Sequence, residues 1–235
     1  MAACAPTTTT PTVAETTSTS TTTTKTTTTT TAPPEGATTT STVPEAQGAV
    51  LVFGDWGSGT AAQEAVAEAM AAYAEENPVT AVLTTGDNLY SNDASLLLEP
   101  MQWVFRRDIE FWVSWGNHDV ESSRRVEIVE EALGSPPRWT VHEWGRVDVV
   151  ILDSNQVGSA DQLGFLTETL TGSDDPTILV FHHPPLSCSS HGDTVSVLES
   201  WVPRFDDDVV LVLSGHDHNY QRFESSGISY VVTGG

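Results

Sequence analysis

The 235-residue chain has little positive charge, and this shortage excludes a class of partners. It contains 9 Lys and Arg residues against 32 Asp and Glu residues, which gives a formal net charge of −23, and its only lysine is Lys25. The phosphates of nucleic acids and anionic lipids would repel a chain this acidic. We therefore expect neither nucleic acid nor an anionic membrane surface as a partner.

Cysteines and long apolar runs are also scarce. The two cysteines, Cys4 and Cys188, are too few for a framework of several disulfides. No apolar run reaches the length of about 20 residues that a membrane-spanning helix needs. The opening letters MAAC resemble the end of a bacterial lipoprotein signal, in which a lipidated cysteine precedes a flexible tether. From this we expect a lipid anchor at Cys4 and an extracellular or surface-tethered location in a bacterial envelope.

The first 46 residues are a low-complexity segment dominated by threonine, with scattered proline and alanine. Such a segment has too little apolar surface to offset the entropy of ordering its backbone. It is predicted to be a disordered stalk, and both an O-glycosylated stalk and an unmodified linker fit its composition. Residues 47–235 have the length of one folded domain with a sizeable core.

Short apolar runs alternate with segments of helical periodicity in this domain, which predicts an α/β fold. Strands are predicted at Ala49–Phe53, Val79–Thr85, Phe111–Trp115, Arg146–Leu152, Thr177–Phe181, Asp208–Leu213 and Ile228–Val232. Helices are predicted at Thr60–Asn77, Ser95–Arg107, Glu121–Leu133, Ser159–Leu170 and Thr194–Trp201.

Five of the predicted strands end in polar motifs. The motifs are GDWG at residue 54, GDNLY at 86, GNHD at 116, HHPP at 182 and GHDHNYQR at 215. One Gly-Asp pair alone would be an ordinary turn. Because the carboxyl ends of strands in an α/β sheet form the ligand crevice, five such motifs in succession indicate one shared site.

The side chains in these motifs are of the types that bind metal ions. Carboxylates, an amide and imidazoles without thiolate suit one or two cations such as iron, zinc or manganese. A carboxylate can bridge two ions about 3.5–4 Å apart, an arrangement suited to phosphate ester chemistry. The candidate ligands are Asp55, Asp87, Asn117, His183, His216 and His218.

The ordered series GDxG, GDxxY, GNHD, VxxH and GHDH resembles the calcineurin-like metallophosphoesterase superfamily, most of all the small, mammalian-type purple acid phosphatases. The resemblance implies a four-layer α/β/β/α sandwich with two mixed sheets and a catalytic domain over residues 47–235. It implies cleavage of phosphomonoesters by in-line attack of a metal-bound hydroxide. Two alternatives stay open: a phosphodiesterase or nucleotide hydrolase with Mn or Zn at the same site, and a surface binding module with a vestigial site.

Gly57 and Tyr90 indicate the purple acid phosphatases within the superfamily. Most metallophosphoesterases have a histidine ligand two residues after the first aspartate, where this chain has Gly57. In purple acid phosphatases a tyrosine three residues after the bridging aspartate supplies a phenolate to ferric iron, and Tyr90 has this spacing from Asp87. The resemblance implies Fe³⁺ on Asp55, Asp87, Tyr90 and His218, and a divalent Fe, Zn or Mn ion on Asp87, Asn117, His183 and His216.

Further residues resemble substrate-facing groups of the family. The VxxH spacing selects His183, and the adjacent His182 stays an alternative. His118 would donate a proton to the leaving group, with Asp119 beside it to orient the ring and raise its pKa. His191 resembles a second histidine that faces the substrate.

The resemblance leaves the C-terminal side of the domain open. Members of the family continue past the glycine pair, here Gly234-Gly235, with further strands. The chain would therefore be either a minimal version of the fold or one truncated at its C-terminus. The expected partner is a small phosphate ester.

Overall fold

Three parallel strands form the first of two sheets in the part of the chain that the structure describes, residues 48–235 of a computed structural model. These strands are β1 (Ala49–Phe53), β2 (Val79–Thr84) and β3 (Glu110–Val113), and β2 lies in the middle. The predicted stalk over residues 1–46 and the predicted anchor at Cys4 lie outside the described residues.

The second sheet has six strands among the described residues and is mixed. Its strands are β4 (Thr140–Trp144), β5 (Val147–Ile151), β6 (Thr177–Val180), β7 (Val209–Ser214), β8 (Tyr220–Ser225) and β9 (Ile228–Thr233). The order is β4-β5-β6-β7-β9-β8, with antiparallel pairs at the two edges and parallel pairs between them. The prediction of an α/β fold with two sheets is confirmed, although the first sheet is parallel throughout rather than mixed.

Helices cover the outer face of each sheet. The helices are α1 (Ala61–Glu76), α2 (Ser95–Leu98), α3 (Gln102–Phe105), α4 (Ser123–Leu133), α5 (Ala160–Gly172) and α6 (Val195–Ser200). The first four pack on the first sheet and the last two on the second. In the described residues, no helix is long and apolar enough to cross a bilayer.

The two sheets pack face to face through a shared apolar layer. Buried side chains of this layer are Ala81, Leu83 and Trp112 from the first sheet and Val149, Ile151, Val180 and Leu213 from the second. Together with the two outer helical layers, this packing makes the predicted four-layer sandwich. It also aligns the carboxyl ends of the parallel strands of both sheets, which is where the predicted motifs lie.

Local chemistry explains where the sequence prediction succeeds and where it is wrong. Thr60 caps α1 by accepting a hydrogen bond from Gln63 N, as its position predicts. The single helix predicted over Ser95–Arg107 is two short helices, because Pro100 lacks the N–H that would continue the first. Strand β8 was not predicted, because it contains polar residues and lies at an edge of the second sheet, where no apolar run marks it.

Candidate metal centre

The loops after five parallel strands meet at one end of the two sheets. Three residues in these loops have left-handed backbone conformations, namely Asp55 with φ 54°, Asp87 with φ 50° and His216 with φ 70°. Residues other than glycine rarely adopt such angles, and they persist where the surrounding structure enforces them. Backbone hydrogen bonds do so here, since Asp55 N donates to the carbonyl of Gly86 at 3.0 Å and Gly215 N donates to that of His182 at 3.0 Å.

Two buried carboxylates form the centre of the cluster. The side chains of Asp55 and Asp87 are 0% and 2% exposed, and their oxygens lie within 4.8 Å of each other and of a ring nitrogen of His182. Each also accepts a backbone hydrogen bond, from His216 N on Asp55 and from His118 N on Asp87. These contacts hold both carboxylates in one orientation, facing the same space.

The electrostatics of this pair favour a cation. Burial raises the pKa of Asp55, and the charge of Asp87 raises it further against the attraction of His182 and His218. Burial acts in the same direction on Asp87, but the hydrogen bond and charge of His182 and the hydrogen bond and charge of His118 together outweigh it, so the pKa of Asp87 lies below its usual value. Among the described residues, neither carboxylate contacts a lysine or arginine. Buried carboxylates need pairing or a metal, and this donor set fits a metal.

Tyr90 faces the same space from the loop after β2. Its hydroxyl lies 3.0 Å from His218 Nε2, 3.3 Å from Asp55 Oδ1 and 3.4 Å from Asp87 Oδ2. Burial and the two carboxylates raise the pKa of Tyr90 well above its usual value. A phenolate at this position would therefore require a cation among these same oxygen and nitrogen atoms.

Gly57 allows the loop that carries Tyr90 to approach. A Cβ atom at position 57 would lie 1.9 Å from the carbonyl oxygen of Asn88 and 2.8 Å from the Cα of Leu89. With only hydrogen in that place, the two loops are close enough for Tyr90 N to donate to the carbonyl of Gly57 at 3.1 Å. The absence of a side chain at position 57 and the placement of Tyr90 are thus two parts of one arrangement.

His182 is a site residue for which the sequence left the choice open. It is fully buried, and its Nδ1–H donates to the carbonyl of Thr85 at 3.0 Å. Its Nε2 is left to face Asn117 Oδ1 at 3.1 Å, His216 Nδ1 at 3.3 Å and Asp87 Oδ2 at 3.2 Å. One ring nitrogen held by a carbonyl and the other directed into a donor cluster is the usual arrangement of a metal-binding histidine.

His183 lies in the same group of imidazoles, within 4.8 Å of the ligand atoms of His182 and His216. Its Nδ1 is 2.8 Å from the hydroxyl of Ser154. Burial lowers the pKa of His183 to about 3 and that of His216 to about 4, and the charge of His182 contributes to both shifts. Both rings are therefore neutral at ordinary pH, as metal binding requires.

The predicted partnership of Asp119 with His118 is wrong. The buried carboxylate of Asp119 accepts hydrogen bonds from the backbone N–H groups of Asn88, Leu89 and Gly116 and from the side chain of Asn88. The Asp119 carboxylate therefore joins the loop after β2 to the loop after β3 and fixes the position of both loops at the site. The acidic group that contacts the His118 ring is Glu121, whose Oε2 lies 3.2 Å from Nδ1.

His191 reaches the cluster from the long loop after β6. Its ring centroid is 4.4 Å from that of His216, and its Nδ1 donates to Asp217 Oδ1 at 2.7 Å. Asp217 is fully buried and also accepts a short hydrogen bond from the hydroxyl of Ser187. Asp217 is a site residue that was not predicted, although its position between the two histidines of GHDH is a signal for it.

The cluster is accessible from solvent. The side chains of His218 and His191 are 59% and 54% exposed. A cleft of about 710 Å³ reaches Asp55, Tyr90 and His218. A small molecule can therefore approach the buried carboxylates along this side.

Comparison with known proteins places the site in a family context. The sequence model of the Metallophos family, described as calcineurin-like phosphoesterase, matches residues 48–220. The chain is 26% identical to "Purple acid phosphatase 4" of Arabidopsis thaliana, over 82% of this chain and 69% of that protein. It is 29% identical to a "Probable cyclic nucleotide phosphodiesterase" of Rhodococcus erythropolis, over 65% of this chain and 56% of that protein. The chain thus spans about half to two thirds of these relatives.

Solved structures share the fold. A dimetal phosphatase from Danio rerio superposes with a TM-score of 0.58 at 14% identity, over 78% of this chain and 86% of that one. GAP50, described as the anchor in the inner membrane complex of Plasmodium, superposes with a TM-score of 0.64 at 19% identity, over 79% of this chain and 70% of that one. Identities this low support the likeness of fold and no more.

Proposed function

This chain belongs to the calcineurin-like phosphoesterase family, and we propose that within it the chain is a dinuclear-metal phosphatase of the purple acid phosphatase type that hydrolyses phosphomonoesters. The observation that carries the proposal is the position of the Tyr90 hydroxyl, 3.0 Å from His218 Nε2 and 3.3 Å from Asp55 Oδ1. Gly57, which has no space for a side chain, makes that position possible.

The residues divide into two overlapping ligand sets around Asp87. The proposed ligands of Fe³⁺ are Asp55, Asp87, Tyr90 and His218. The proposed ligands of a divalent Fe, Zn or Mn ion are Asp87, Asn117, His182 and His216, with His183 beside them. Bound there, the two cations would neutralise the carboxylates and the substrate phosphate and lower the pKa of a water molecule. His182 takes the place that spacing had assigned to His183, because its free Nε2 faces both Asn117 and Asp87.

Two imidazoles outside these sets are proposed to contact the substrate. His118 packs against the Tyr90 ring, with ring centroids 4.6 Å apart and an interplanar angle of 43°. There it would donate a proton to the leaving-group oxygen. His191, held by Asp217, would bind a phosphate oxygen from the opposite side.

A cyclic nucleotide phosphodiesterase with Mn or Zn at the same site is the second candidate. The similarity to the Rhodococcus erythropolis protein supports it, as does 37% identity over 82 residues to "cAMP/cGMP dual specificity phosphodiesterase MT0825" of Mycobacterium tuberculosis. A binding module with a vestigial site is disfavoured, because the described residues contain every ligand that the family resemblance requires.

Metal analysis and substrate comparison test the proposal. The purified chain should be loaded with iron and a divalent metal, or with Mn or Zn alone, and assayed on an aryl phosphate, an aryl phosphodiester and cAMP. We expect the iron-containing protein to hydrolyse the monoester fastest, and Asp55→Asn to abolish this activity. Asp93→Asn, an exposed loop aspartate bonded to Ser95, is the matched control and should behave as wild type. Activity on cAMP alone, with Mn or Zn, would favour the second candidate.

We also propose that the domain is displayed outside the cell on its Thr-rich stalk, anchored through Cys4. This rests on composition and on the MAAC letters alone. Detergent partitioning of the full chain from bacterial envelopes tests it, with Cys4→Ser as the control that should move to the aqueous phase. Equal partitioning of the two proteins would contradict the anchor.

A further inference from the structure

The ring and the backbone of His118 contact four residues, two of which, Glu121 and Arg125, lie outside the family resemblance. Its Nδ1 lies 3.2 Å from Glu121 Oε2, and one face of the ring packs on Tyr90. Its backbone N–H donates to Asp87 Oδ1 at 2.7 Å, and its carbonyl accepts from Arg125 Nη1 at 3.0 Å. With Nδ1 engaged, Nε2 is the ring nitrogen that is left to face a substrate.

Arg125 fixes the position of Glu121. Its side chain is 16% exposed, and Nη1 donates both to the His118 carbonyl at 3.0 Å and to Glu121 Oε2 at 2.5 Å. One cation thus joins the backbone of His118 to the carboxylate that contacts its ring. The hydrogen bond with His118, together with the hydrogen bond and charge of Arg125, lowers the pKa of the Glu121 carboxyl.

We infer that Glu121, held by Arg125, is the positioning residue that orients the His118 imidazole for proton transfer, an inference that rests on the proposed phosphatase function. A carboxylate can only accept, so Nδ1 must donate to it and the proton for the reaction must come from Nε2. That proton passes to the leaving-group oxygen as its bond to phosphorus breaks. The oxygen of water bonds to phosphorus on the side opposite the leaving group, and the proton released from water restores His118.

The alternative is that Glu121 belongs to an ordinary surface ion pair. Helix α4, which carries Arg125, offers a comparison. Its Glu127 pairs with Arg124 at 3.2 Å, and both of these side chains are 57–58% exposed. Glu121 is as exposed as Glu127, but its arginine is mostly buried and is bonded to the loop that carries the site. Exposed ion pairs contribute little to stability. If Glu121→Ala lowers the rate of hydrolysis more than Glu127→Ala does, the difference is therefore due to the contact of Glu121 with His118.

The leaving-group dependence of hydrolysis tests the inference through activity. Glu121→Ala should lower kcat on an alkyl phosphate by roughly ten- to a hundredfold, a part of what a general acid contributes. On p-nitrophenyl phosphate, whose leaving group needs no proton, the loss should be less than about threefold. Glu121→Gln keeps an acceptor oxygen for Nδ1–H and should recover most of the rate. Glu127→Ala should match wild type on both substrates.

The tautomer of His118 tests the inference without activity. In the diamagnetic zinc-loaded full chain, at a pH where the ring is neutral, nitrogen NMR should show the proton on Nδ1 in wild type and Glu121→Gln. In Glu121→Ala it should move towards Nε2, and in Glu127→Ala it should not move.

A wild-type ring with its proton on Nε2, or equal losses of Glu121→Ala on both substrates, would overturn the inference. A wild type that hydrolyses no phosphate ester would instead contradict the proposed function. The tautomer would then decide alone whether Glu121 orients the ring.

Discussion

Replacing Gly57 by alanine should displace the loop that carries Tyr90. The added Cβ would start 1.9 Å from the carbonyl oxygen of Asn88, whereas ordinary contact begins near 3.4 Å, so the two loops must separate. The separation would break two backbone hydrogen bonds, one from Trp56 N to the Asp87 carbonyl at 3.0 Å and one from Tyr90 N to the Gly57 carbonyl at 3.1 Å.

The loss in the free energy of unfolding can be worked out from these contacts. Each lost hydrogen bond contributes about 0.5–1.5 kcal/mol, and overpacking a well-packed region costs about 1–3 kcal/mol, so the free energy of unfolding should fall by about 2–6 kcal/mol. Small domains are stable by about 5–15 kcal/mol. The variant should therefore unfold at a clearly lower urea concentration than the wild type. Its Tyr90 hydroxyl should no longer reach its partners, so bound iron should be lost on dialysis.

Urea unfolding followed by tryptophan fluorescence, together with iron content after dialysis, measures both effects. Gly158→Ala is the matched control, because a Cβ there would meet nothing within 4 Å. A Gly57→Ala protein with the urea midpoint and iron content of wild type would refute the argument that this glycine admits Tyr90.

Three further substitutions test other parts of the account. Asp87→Asn should lose both metals and nearly all turnover, because Asp87 is the proposed bridging ligand; retention of both metals by elemental analysis would contradict the assignment. Asp119→Asn should lower the free energy of unfolding by about 1–3 kcal/mol, because an amide cannot accept all of the N–H hydrogen bonds that the carboxylate accepts; an unchanged urea midpoint would remove its supporting role. Gly164→Ala, in an exposed and open position of α5, should raise the free energy of unfolding by about 0.5–1 kcal/mol; a lower midpoint would reveal a contact there.

The sequence predicts the strands that carry the site better than it predicts contacts within the site. The side chains of apolar runs such as Ala49–Phe53 are half-buried or buried between layers, so the composition of these runs identifies them directly. The polar motifs come directly after these strands in the sequence. Because parallel strands bring their carboxyl ends to one edge of a sheet, the location of the site can be predicted as well. Strand β8 was missed because it is an edge strand whose residues are mostly exposed. Exposed positions do not need apolar side chains, so the sequence of β8 contains no apolar run that would identify it.

Side-chain partners in the loops could not be predicted, since adjacency in sequence is not adjacency in space. Asp119 follows His118 directly but its side chain points into the protein, while the turn brings Glu121 back to the imidazole. In the same way, the VxxH spacing selects His183 whereas the contacts favour His182, because both residues follow the end of β6 and the backbone of an irregular loop sets their orientations. Long-range contacts with Thr85 and Ser154 distinguish the two rings.

The visible absorption spectrum of the iron-loaded protein tests the central claim most directly. A phenolate bound to ferric iron absorbs visible light by charge transfer, so the wild type should be coloured. Tyr90→Phe removes the hydroxyl that lies 3.0 Å from His218 Nε2 while keeping the ring that packs on His118. We expect this variant to lose the colour, to retain iron poorly and to unfold at nearly the wild-type urea concentration. A colourless iron-loaded wild type, or a Tyr90→Phe variant with an unchanged visible spectrum, would contradict the assignment of Tyr90 as an iron ligand.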